Sequence, residues 1–215
     1  MPSLDTLARL AAHTGGLLYP LALLLTLTLA VSLERGWALR SLDRRGERLA
    51  RALAGLDAAD RGGLAGLLEA RPHAVHAALL RCALTPPETA APAGALAARL
   101  DEHILAIQPQ LDRRLWVLDT AVTLPPLLGL LGTIVGMFHA FAALGGEASG
   151  RAQAVTGGVA EALVATAAGL LIAVLGLVAF NALGERARRA GHQLEVIKVM
   201  LVNRFAGAAG GAGAS

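Results

Sequence analysis

The chain has 215 residues, of which 55% are hydrophobic, 16% charged and 3% aromatic. That is too apolar for an average soluble domain and fits a small polytopic membrane protein with a soluble part; so few aromatics exclude a membrane β-barrel, which needs aromatic girdles. The formal charge of +3 would indicate nucleic acid only if basic residues gathered among aromatics on a soluble face, and here they flank apolar helices as topology signals do.

Residues 1–15 read as a periplasmic N-terminus. Span one comes next at 16–33, inside the uncharged run Leu10–Leu33. A single Arg before it, no small-residue cleavage site, and Glu34-Arg35 at its end argue for a retained helix rather than a signal peptide. Residues 34–115 read as a cytoplasmic helical region. Leu39, Leu42, Leu49, Leu53 and Leu56 recur at helical spacing, with Arg40, Arg44, Arg45, Arg48 and Arg51 between them. This is an amphipathic helix continuing from the first span, its arginines solvated near anionic lipid head groups. Gly62-Gly63 and Pro72 punctuate the next stretch into short helices. Thr85-Pro86-Pro87-Glu88 has capping-box spacing. The pattern predicts one long helix from about Ala93 through Leu115 into the second span, kinked at Pro109.

The second span is set at 116–144, a periplasmic loop at 145–154, and the third span at 155–182. A cytoplasmic C-terminal helix over 183–206 has its apolar stripe at Leu194, Ile197, Leu201 and Phe205, and 207–215 is a flexible Gly/Ala tail. Seventeen of the nineteen Lys and Arg residues fall in 34–115 and 183–215. Three crossings put both regions on one side, which the positive-inside rule makes the cytoplasm. The predicted fold is therefore an all-α polytopic membrane protein with three transmembrane helices and long cytoplasmic helical extensions, N-terminus periplasmic and C-terminus cytoplasmic.

The single Cys82 excludes an internal disulfide and a Cys-based metal cluster. His73 and His76, three apart without further ligands, read as a solvated helix face, so no metal or cofactor is expected. Neither a phosphate-binding Gly-rich loop, a nucleophile elbow nor an HExxH motif occurs.

The chemistry concentrates in the last two spans. Val155–Ala182 carries one ionisable residue, Glu161. A carboxylate in such a helix is costly unless it faces water, a partner or the bundle interior, so its first reading is functional. Gly129, Gly132, Thr133, Gly136 and Ala140 of the second span, and Ala162, Thr166, Gly169, Ala173 and Gly176 of the third, form stripes of small residues that allow close helix approach. Either threonine can instead bond its own i−4 carbonyl and merely pack. A short connection makes the spans an antiparallel hairpin. Both hydroxyls then lie about 16 Å below the outer surface, with Glu161 about 9 Å deep. Polar groups at intervals suit a proton or ion path.

PLLGLLGTIVGM (126–137), followed by GGVAEALVATAAGLLIAVLGLVAFN (157–181), resembles the two signature helices of the ExbB/TolQ/MotA proton-channel family, closest to its ExbB/TolQ branch. The first span with its Glu-Arg exit resembles it more loosely. The resemblance implies that Thr133, Glu161 and Thr166 line the interior of a homopentameric ring. It implies a single-span partner resembling ExbD or TolR, whose aspartate takes the proton, and a TonB- or TolA-like envelope-spanning protein that is energised. It also implies residence in the bacterial inner membrane, among lipids and without nucleic acid. The family usually has Pro where this chain has Leu175, so the third helix should run straighter. His139 is a possible further titratable group, read as packed or at the lipid edge. The competing readings are a structural membrane scaffold, in which Glu161 serves helix assembly, and an intramembrane enzyme. The latter lacks a nucleophile–base pair or metal set.

Overall fold

The computed structural model describes residues 16–56, 60–70, 75–85, 94–143 and 151–211. Every regular element among them is helical: α1 (Leu18–Ala54), α2 (Arg61–Glu69), α3 (Ala77–Leu84), α4 (Ala95–Leu111), α5 (Leu115–Ala143) and α6 (Arg151–Gly211). α1, α5 and α6 each carry a stretch long and apolar enough to cross a membrane. The helices form two compact units, one from residues 1–34 and 114–182, the other from 35–113 and 183–215. The expected N-terminal segment 1–15 and most of the loop 145–154 lie outside the described residues. Helical backbone continues to Gly211, past the end expected at 206.

In the first unit, apolar side chains cover the outside as well as the inside. Leu127, Ile134, Phe138, Leu163, Leu170 and Val178 are all exposed. Helices apolar all round suit a lipid surrounding. The hydroxyls in α1 are absorbed locally, Thr26 donating to the Ala22 carbonyl at 2.9 Å and Thr28 to that of Leu24 at 2.6 Å. Glu34 at the end of this stretch pairs with Arg114.

The second unit has an ordinary apolar core, including Leu39, Leu53, Leu79, Leu100, Ile197 and Leu201, each no more than 2% exposed. The predicted stripes on α1 and on the end of α6 thus supply much of it. The long helix expected from Ala93 through Leu115 is instead two helices, α4 and α5. Pro109 withdraws an amide from the last turn of α4. Arg114 takes a left-handed φ of 65°, a conformation rare outside glycine and turns. The buried Arg35 guanidinium donates to the carbonyls of Gln110, at 3.1 Å, and Leu111, giving the end of α4 the partners that a continuing helix would have supplied. Arg204 does the same for α1, donating to Leu53 at 2.8 Å and Leu56 at 2.7 Å. One further expectation is corrected. Gly62-Gly63 lies inside α2, where Asp60 caps by accepting from the Gly63 amide at 2.8 Å. Thr85 closes α3, its hydroxyl donating to the Arg81 carbonyl at 2.8 Å; Pro86, Pro87 and Glu88 of the expected capping box lie outside the described residues, as do Pro72 and His73.

His76 is not on a solvated face but 1% exposed. Packing of α3 against its neighbours overrides the polar reading of the pair. Burial, helped by the Arg45 charge, pushes its pKa down from 6.5 to about 4. The folded chain therefore keeps His76 neutral where the unfolded chain already binds a proton. Its contribution is intact above pH 6.5 and is lost as the pH falls to about 4, about 3 kcal/mol in all. Amide hydrogen exchange in α3 should accelerate over that window, and His76→Met should flatten the pH dependence.

Candidate functional site

α5 and α6 meet along a seam of small residues. The pairs run in opposite directions along the two helices: Ala121 with Gly176, Pro125 with Gly169, Gly129 with Thr166, Gly136 with Ala162, and Ala140 with Gly158. The helices are therefore antiparallel and in backbone contact. A methyl added at Gly129 would lie 2.9 Å from the Thr166 Cα, one at Gly132 2.7 Å from the Ala165 Cβ, and one at Gly136 2.8 Å from the Ala162 Cβ. At Gly169 it would run into the Pro125 carbonyl, and at Gly176 it would lie 3.2 Å from that of Ala121. All five glycines singled out in the sequence thus sit at the closest approach, with Ala140 and Ala162 among their partners; Ala173 is half-buried.

The two threonines differ. Thr166 Oγ1 does not bond its own helix. It donates across the seam to the Gly129 carbonyl at 2.9 Å. That carbonyl is also the α-helical acceptor for the Thr133 amide, so both threonines bear on one peptide group. Thr133 Oγ1 donates to Leu130 one turn back, at 2.7 Å. A bond of the Thr166 kind is worth about 0.6–2 kcal/mol in a membrane. It was hidden from the sequence because spacing sets a face but not an acceptor.

Thr133 borders an apolar groove of about 230 Å³ with Met137, Ala140, Phe141, Val159, Ala162 and Leu163 among its walls. Glu161 is not one of them. It is half-buried on α6 and makes no hydrogen bond or ion pair among the described residues. The groove that Thr133 borders therefore does not reach Glu161. His139 is exposed, its ring tilted 58° to that of Phe138 with centroids 6.2 Å apart. α6 passes Leu175, itself 41% exposed, without interruption.

Pro125-Pro126 is a feature that spacing alone did not single out. Both prolines lie inside α5, and their missing amides leave the Ala121 and Val122 carbonyls without helical donors. The backbone at Ala121 and Pro125 is also where Gly176 and Gly169 approach most closely. Prolines facing glycines at seam spacing were the signal available.

A profile of the MotA/TolQ/ExbB proton channel family matches residues 72–196. Among similar proteins is the putative biopolymer transport protein ExbB-like 1 of Synechocystis sp., 34% identical over 79% of this chain and 67% of that protein. The Tol-Pal system protein TolQ of Haemophilus influenzae is 43% identical over 35% of this chain and 33% of its own length. The biopolymer transport protein ExbB of Neisseria gonorrhoeae is 33% identical over 42% of this chain and 41% of its own. The chain thus aligns with two thirds of the first of these and well under half of the other two.

Proposed function

The chain belongs to the MotA/TolQ/ExbB proton channel family, and from that premise we propose that it is an inner-membrane stator subunit that uses the proton motive force to energise an envelope-spanning protein. In this reading it is a multi-pass protein with its N-terminus outside and the 34–115 and 183–215 regions in the cytoplasm. It works by proton transfer and motion, without covalent chemistry. Glu161 is the proton-carrying carboxyl, Thr133 and Thr166 are polar rungs beside it, and His139 stays outside the path.

The observation that carries the reading is the unpartnered carboxyl. Glu161 sits in an apolar helix with no hydrogen-bond or ion-pair partner among the described residues. Such a group needs water or another chain beside it. A ring of copies around a single-span partner of the ExbD or TolR kind would supply both. The seam supports this by holding α5 and α6 as one rigid wall, so that motion falls to the enclosed partner. The structural-scaffold alternative has Glu161 paired with a neighbouring copy instead.

Co-expression with a single-span protein whose helix carries an Asp tests the reading. A complex of five copies of this chain with two of the partner, by native mass, is the expected result. A chain that purifies alone, with no affinity for such a helix, would count against it.

A further inference from the structure

Within the second unit, α1, α2 and α3 line a half-open pocket of about 150 Å³ whose walls include Arg45, Arg48, Leu49, Leu67, His76 and Leu80. We propose that this pocket binds a small organic anion, a phosphate or carboxylate on a short apolar stem. Arg45 and Arg48 would supply the counter-charges and His76 a hydrogen bond. The proposal is independent of the proton path.

Three observations converge. Arg45 and Arg48, three apart on one face of α1, are exposed and make no hydrogen bond or ion pair among the described residues, whereas Arg114, Arg188 and Arg204 are all engaged. His76 is 1% exposed, yet neither ring nitrogen has a partner. Buried polar groups are rarely left so. The remaining wall, from Leu49, Leu67 and Leu80, suits an apolar stem rather than a hydrated inorganic ion.

Local chemistry allows the donor. His76 Nε2 and Gln193 Oε1 both border the space beside Gly46, the nitrogen 2.8 Å from where a Cβ would stand. Gln193 Oε1 is itself buried and unpartnered. With the amide turned so that its NH₂ faces Nε2, the imidazole would take the tautomer with hydrogen on Nδ1, and a small turn of the buried ring would bring that N–H to the ligand. His76 and Ala77 also form the N-terminal end of α3, which favours negative charge. The C-terminal end of α2 at Ala70 opposes it with about half a charge, against two full positive charges. Guanidinium–oxyanion bonds are among the strongest of their kind. The volume lies below the roughly 300 Å³ at which drug-sized sites begin, which suits a small ligand.

Calorimetric titration of the full chain in neutral detergent with hexyl phosphate, hexanoate and inorganic phosphate tests the site. Saturable binding of a hexyl-chain probe is expected, tighter than inorganic phosphate. It should weaken about tenfold or more in Arg45→Gln/Arg48→Gln and stay unchanged in Arg40→Gln/Arg44→Gln, which removes equal charge from the same helix. A shift of the His76 imidazole resonances on titration is the second readout. In nanodiscs, competition by phosphatidylglycerol would support the site with a lipid head group as its ligand. Undiminished binding in those discs would support it with a soluble anion. No saturable binding of any probe, or equal weakening in both double variants, overturns the proposal.

Discussion

Glu161→Gln should abolish proton flux through a reconstituted assembly of this chain with a single-span partner of the proposed kind, lowering it by about two orders of magnitude or more, while the native mass of the complex stays the same. Glutamine keeps the shape and both hydrogen-bonding atoms of the side chain but cannot take up and release a proton. The difference therefore isolates titration from packing. Glu161 is half-buried in α6 and makes no internal bond among the described residues, so the substitution orphans no partner among them. Glu161→Asp, which keeps the acid but withdraws it by one methylene, should retain part of the flux. Under the scaffold reading the order reverses: Glu161→Gln splits the assembly, and whatever complex survives conducts normally. Flux in pH-jumped vesicles, measured beside native mass on the same preparation, separates the two.

Gly169→Leu should prevent the α5–α6 hairpin from closing. The obstacle is the Pro125 carbonyl, part of a backbone that cannot rotate away as a side-chain end would. Overpacking of this kind costs typically about 1–3 kcal/mol even in cores that relax. Here separation of the helices also stretches the Thr166–Gly129 bond, 2.9 Å long in the intact seam. The expected result is loss of assembled complex and a fall in thermal stability in detergent. Gly157→Ala is the control, because an added methyl there meets nothing within 4 Å. Thr166→Val should fall between them, keeping the shape of the side chain while losing the cross-helix bond. Equal stability of Gly169→Leu and Gly157→Ala would mean that the seam does not hold the hairpin.

The hairpin was readable because its signals are local and redundant. Long apolar runs show the spans, and glycine at three- and four-residue spacing shows the face through which they touch. Arg35 and Arg204 were not readable. Each closes the end of a helix remote in sequence, Arg35 at Gln110 and Leu111, Arg204 at Leu53 and Leu56, and no pattern along the chain couples such positions. The same holds for His76, whose burial depends on how α3 packs and not on its neighbours in sequence. The break between α4 and α5 had one visible sign, Pro109, and one invisible, the left-handed Arg114. Of the site itself, Thr166 and Thr133 were legible as residues and Glu161 as an anomaly. Their relation was not, because depth arithmetic orders groups along a helix without saying which cavity each borders. In one chain the apolar groove that Thr133 borders does not include Glu161; in the proposed ring, other chains would complete the common path.

That completion is the central claim, and the structure of the assembled complex tests it most directly. The account predicts that Glu161 and Thr133 of every copy face one enclosed cavity, with the aspartate of the partner helix within reach of at least one glutamate. Glu161 packed against lipid on the outside of the ring, with the threonines bordering no shared interior, would contradict it.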